Sequence, residues 1–172
     1  MKRQALLIFA AALAGSSALS AQTANPLSTE TKQAYTGIKN NLLKMAEKMP
    51  EENYAFKPVP EIRTFGALVA HVADSMLRTC STVNGAAKNG TAGTKTAKAD
   101  LVAAMKEAIA ECDTAYDGMT DAAGMTMLKT PRGERTKIGA LIQNTTHANE
   151  EYGYMSVYLR LKGVVPPSSD RP

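Results

Sequence analysis

Apolar side chains recur every three or four residues through four stretches of this chain, the period of a helix with one buried face. The first stretch covers 29–49, with Ala34, Tyr35, Ile38, Leu42, Met45 and Met49 on one stripe. Ser28 is its expected N-cap and Pro50 its stop. The second covers 65–83, capped by Thr64, with Phe65, Val69, Val72, Met76, Cys80 and Val83 in line. The third covers 98–119, with Leu101, Met105, Ala108, Cys112, Ala115 and Met119. The fourth covers 136–162, with Leu141, Thr145, Ala148, Tyr152, Met155 and Leu159; Gly163 stops it and Pro166-Pro167 forbids its resumption. Between these stretches lie a link at 51–63 bearing Pro58 and Pro60, a Gly/Ala/Thr/Lys-rich loop at 84–96, and a loop at 120–135 broken at Pro131-Arg132-Gly133. No strand and no internal repeat is predicted. Four helices of about twenty residues each make an all-α fold, a four-helix bundle with long connecting loops. Those loops are long enough that tight up-down hairpins are not forced.

The first twenty-one residues follow a different pattern. Lys2-Arg3 precedes an apolar run at 5–14, and the small residues Gly15, Ser16, Ser17, Ala18, Ser20 and Ala21 come next. This is the layout of a secretory signal peptide. Cleavage after Ser20 puts Ala18 at the −3 position. The apolar run is short for a membrane span, which takes about 20 residues. No cysteine stands beside the cleavage site to carry a lipid. The expected layout is a signal peptide at 1–21 and one bundle domain at 22–172, with the mature protein periplasmic or extracellular and free of the membrane.

Composition narrows the partners. The 172 residues are 44% hydrophobic and 21% charged, ordinary for a single folded domain. The formal charge of +4 falls to +2 once Lys2 and Arg3 leave. No run of more than two Lys or Arg occurs, and aromatics are 5% with no Trp. Nucleic acid is therefore not an expected partner, since such surfaces need basic clusters and stacking rings.

The fourth helix carries more than a core face needs. Projected at 100° per residue, Asn144, His147, Glu151, Tyr154 and Tyr158 form a second stripe beside the core stripe. Glu150 falls on the solvated side. His147 and Glu151 are one turn apart and point the same way. The only other histidine, His71, lies at the edge of the second helix's stripe. Bundles build metal sites from such residues on facing helices. His71, His147 and Glu151 would offer two imidazoles and a carboxylate with open positions, a set suited to divalent Zn, Ni or Fe and able to polarise a substrate or a water. The same spacing also suits a local ion pair beside an interior histidine. Tyr152, Tyr154 and Tyr158 are candidate pocket residues, or packing with one hydrogen bond each. No G-x-S-x-G elbow occurs, and neither histidine sits in a nucleophile motif.

Cys80 and Cys112 both lie on core-facing stripes, and export places them where disulfides persist. A bridge is expected if the second and third helices pack side by side. Simple antiparallel packing is the difficulty, because both cysteines fall late in their helices; the long loop at 84–96 offers a way to shift the register.

Three phrases together resemble the DinB-like family of four-helix-bundle metalloenzymes, especially its exported bacterial branch. They are Met49-Pro50-Glu51-Glu52-Asn53-Tyr54-Ala55-Phe56-Lys57-Pro58, then Arg63-Thr64-Phe65-Gly66-Ala67-Leu68-Val69-Ala70-His71-Val72-Ala73-Asp74, then His147 through Gly153 followed by Tyr158-Leu159-Arg160-Leu161-Lys162-Gly163-Val164-Val165-Pro166-Pro167-Ser168-Ser169. In order and spacing they span nearly all of the mature chain. The resemblance implies a divalent metal held by a histidine of the second helix and an H-x-x-x-H pair on the last. His71 and His147 match the first two ligands, and Glu151 stands where the second histidine of the pair belongs. The resemblance also implies a small-molecule substrate of unknown identity. Export argues against the small cytoplasmic thiols that some members use. Two functional readings follow: a divalent-metal-binding protein or metal-dependent enzyme, and a non-catalytic bundle that binds a small ligand or protein partner with its metal site degenerate at Glu151. Bundles of this size often pair a helix face, so a homodimer is a further expectation.

Overall fold

The computed structural model describes residues 25–130 and 133–170. The expected signal peptide lies outside them, as do Pro131 and Arg132 of the expected loop break. Four long helices form the body: α1 (Pro26–Lys48), α2 (Phe65–Val83), α3 (Lys98–Asp117) and α5 (Lys137–Leu161). A single-turn α4 (Asp121–Gly124) and a hairpin of β1 (Met127–Thr130) and β2 (Gly133–Thr136) sit between α3 and α5. No helix among the described residues is long and apolar enough to cross a membrane.

The helical periods become buried stripes. Phe65, Val69, Val72, Met76, Cys80 and Val83 are all buried in α2, as are Leu141, Thr145, Ala148, Tyr152, Met155 and Leu159 in α5. The α3 stripe is buried from Leu101 to Ala115, and Met119 is half-buried. Ala34 is the exception in α1: it faces a shallow groove shared with Ile142 and Asn149. Thr64 caps α2 by accepting from the Ala67 N–H, and Thr136 caps α5 by accepting from the Gly139 N–H.

The start of α1 corrects the sequence reading. Ser28 does not cap the helix; Asn25 holds the N-cap position and Pro26 the first turn, while Ser28 is buried. The first-turn N–H groups of Leu27 and Ser28 donate instead to the carboxylate of Asp121, at 3.2 and 2.8 Å. An acid from α4 thus does the capping from across the bundle, favoured by the positive end of the helix dipole. The hairpin is a second correction. Thr130 pairs with Gly133, whose φ of +108° suits the turn, and the pairing runs out to Met127 opposite Thr136.

Pair contacts give the direction of each helix. Lys32–Asp117, Lys39–Asp113 and Lys106–Glu47 make α1 and α3 antiparallel. Phe65 against Tyr158 and His71 against His147 make α2 and α5 antiparallel. By contrast α2 and α3 are parallel: Gly66 abuts Leu101 at one end, Cys80 is bonded to Cys112, and the Asn84 amide donates to the Glu111 carbonyl at the other. The order is up-down-down-up. Residues 84–97 therefore run back along α2. Their extended reach of about 46 Å exceeds the roughly 28 Å that α2 needs. This return segment is fastened by Asp74, whose two oxygens accept the N–H groups of Ala92 and Gly93 at 2.9 and 3.0 Å. A Cβ at Gly90 would collide with the Asp74 carboxylate, so the close approach requires glycine there.

Parallel packing also removes the register difficulty for the cysteines. Two positions late in their helices meet when both helices run the same way, and the Cα atoms of Cys80 and Cys112 lie 4.9 Å apart in a buried disulfide.

Candidate metal centre

The site stands where α2 and α5 cross the middle of the bundle. Its register is set at one end, where the Tyr158 hydroxyl donates to the Arg63 carbonyl at 2.8 Å and the Tyr158 ring packs near Phe65. Two turns further along, this antiparallel alignment brings His71 of α2 opposite His147 and Glu151 of α5. The Nε2 atoms of His71 and His147 are 3.2 Å apart. Glu151 Oε1 lies 3.6 Å from His71 Nε2 and 3.5 Å from His147 Nε2. The three atoms make a nearly equilateral triangle. Exposure falls from His71, with 34% of its side chain open, to His147 at 23% and Glu151 at 8%.

This triangle can be tested against its two readings. A hydrogen-bonded ion pair wants N···O of about 2.7–2.9 Å, and both carboxylate contacts are well beyond that. Ligand atoms about 2.0–2.1 Å from a tetrahedral ion stand about 3.3–3.4 Å from one another. All three edges lie close to that value, and the centre of the triangle is about 2.0 Å from each atom. Two imidazoles and a carboxylate are also a proper donor set for Zn, Ni or Fe(II). Two further atoms bear on the fit: Glu151 Oε2 and His147 Nδ1 are buried without a hydrogen-bond partner. A buried carboxylate with one unpaired oxygen is well satisfied by a cation. The residues present fit a divalent metal. His147 Nδ1 departs from the usual arrangement, in which a ligating imidazole donates its other N–H to an orienting partner.

Burial pushes the His71 imidazole below its ordinary pKa; Glu151 opposes that shift, while Arg63, His147 and Arg78 add to it. The neutral ring, the form that ligates, is thereby favoured. The Tyr158 hydroxyl is pushed up, first by burial and then by the Glu151 charge.

The three tyrosines go elsewhere. The Tyr152 hydroxyl donates to Ser168 Oγ and accepts the Ser168 N–H, both at 2.9 Å, and so ties down the chain beyond α5. Tyr158 spends its hydroxyl on Arg63. Tyr154 is exposed and bonded to Glu150, so the projected second stripe fails at that position. None of the three borders the cleft that His71 lines. Four residues that the sequence did not single out as site residues do border it: Arg63, Asp74, Arg78 and Lys95. Asp74 and Arg78 follow His71 at three and seven residues, a helical spacing that was legible. Lys95 comes from the return segment, whose path no periodicity announces.

The DinB superfamily profile matches residues 34–155. Among solved structures, the crystal structure of a DinB-like protein from Bacillus cereus ATCC 10987 resembles the chain with a TM-score of 0.69, covering 81% of this chain and 95% of that one at 17% sequence identity. At that identity the likeness carries the fold. No functionally curated protein matches the chain.

Proposed function

The chain belongs to the DinB superfamily, and on that premise we propose that it is an exported protein that holds one divalent metal, Zn, Ni or Fe, between His71, His147 and Glu151 and presents it to a small molecule. The observation that carries this reading is the triangle of 3.2, 3.5 and 3.6 Å edges, whose two carboxylate edges are longer than a hydrogen-bonded ion pair and whose size suits three ligands of one cation. Three protein ligands leave coordination positions free, and a metal so bound supplies Lewis-acid polarisation of a substrate oxygen or a bound water. The chain's own contribution is positional. Antiparallel α2 and α5 fix the ligand atoms, the Tyr158–Arg63 bond fixes their register, and Glu151 brings a negative charge that a third imidazole would lack. That charge lowers the net charge of the loaded site and favours a hard, oxygen-accepting ion.

The test is calorimetric titration of chelator-stripped, tag-free protein with Zn²⁺, Ni²⁺ and anaerobic Fe²⁺. One equivalent should bind, and affinity should fall at least about tenfold in each of His71→Ala, His147→Ala and Glu151→Gln. Sub-stoichiometric binding, or affinity unchanged in His71→Ala, would leave the non-catalytic bundle as the reading.

A further inference from the structure

A cleft of about 570 Å³ runs along α2 under the return segment, within the range of about 300–1,000 Å³ typical of small-molecule sites. His71 belongs to its wall as well as to the ligand triangle. Arg63 and Arg78, which border the cleft, stand eight residues before His71 and seven after it, and Lys95 joins them from the return segment. Among the described residues none of these three cations forms an ion pair, whereas Lys32, Lys39, Lys48, Lys88 and Lys106 do. The carboxylate in the same wall, Asp74, is turned to the return segment, with both oxygens taken by backbone N–H groups. The cleft thus gathers positive charge in a concave, partly apolar wall that Tyr54 and Leu101 complete. Such a wall focuses the field and concentrates anions.

We propose that this cleft binds an extended organic anion, a molecule bearing carboxylate or phosphate groups, with guanidinium contacts toward its ends and its middle at His71. Guanidinium forks match both anionic groups bidentately. That the bound anion is the substrate of the metal centre rests on the metal reading above; that the cleft binds it does not.

The experiment follows backbone amide resonances of the metal-free protein during titration with adipate and with hexane-1,6-bisphosphate, at constant ionic strength. The neutral hexane-1,6-diol serves as control. Saturable shifts should appear along α2 and residues 92–96 for the two anions and not for the diol. Arg63→Gln and Arg78→Gln should each weaken binding by about tenfold. Lys106→Gln, on the α1–α3 side, should leave it unchanged. Equal response to the diol, absence of saturation, or equal loss in Lys106→Gln would overturn the proposal. His147→Ala separates the two readings, because it removes a metal ligand without touching the cleft wall. Anion binding retained in that variant supports the cleft even if no metal binds, and metal binding without anion binding removes the cleft alone.

Discussion

Glu151 concentrates the chemistry of this chain in one side chain. It is buried, one of its oxygens has no partner, and its nearest polar neighbours are two imidazoles of which His71 is held toward its neutral form. In metal-free protein such a carboxylate is a cost, since burial of charge without a counter-ion is unfavourable. Glu151→Gln should therefore leave the melting temperature of chelator-stripped protein unchanged or raise it. The same change should cut the gain on adding Zn²⁺ to about half or less. In the wild-type chain that gain is about 2.7 kcal/mol at a hundredfold excess over Kd, or roughly 5–10 °C for a domain of this size. Scanning calorimetry with and without Zn²⁺ reads both halves. A large loss of stability in the stripped Gln variant would mean that the carboxylate serves the fold rather than an ion.

At the scale of elements, the parallel pair α2 and α3 depends on a segment whose own secondary structure is one 3₁₀ turn, Ala92–Thr94, too little to hold it in place. Asp74 supplies the hold through Ala92 and Gly93. Asp74→Ala leaves two N–H groups without their acceptor and should cost about 1–3 kcal/mol. Hydrogen exchange should quicken at Ala92 and Gly93 and stay slow in α5. Uniform quickening would show that the contact supports the whole bundle instead. This segment also marks where sequence reading stops. The four long helices were legible because each carries a 3.6-residue stripe, and Thr64 announced α2 through its capping oxygen. His71, His147 and Glu151 were legible as candidates because helical spacing put the last two on one face. The direction of α3 was not, because residues 84–97 are Gly, Ala, Thr, Lys and Asn with no period to fix a path. Ser28 was misread because its rival, Asp121, lies 93 residues away. The hairpin escaped because Met127-Leu128-Lys129-Thr130 is too short and too exposed for alternation to register.

For the molecule as a whole, the disulfide is the main covalent restraint among the described residues. It spans 32 residues of chain, and the loop-entropy account gives about 3–4 kcal/mol for a closure of that size. Cys80→Ala with Cys112→Ala should lower the unfolding free energy by that amount in urea titrations, with the circular dichroism of the folded state unchanged. A negligible difference would place the bundle's stability in its apolar core alone. The up-down-down-up order has a consequence for assembly. In a bundle of plain hairpins each helix can zip against the one just made, but here α3 cannot reach α2 until the intervening segment has doubled back. Native sulfur pairing thus becomes a late event, one that records finished assembly and does little to guide it. Trapping thiols at intervals during oxidative refolding would show protected helices before protected cysteines.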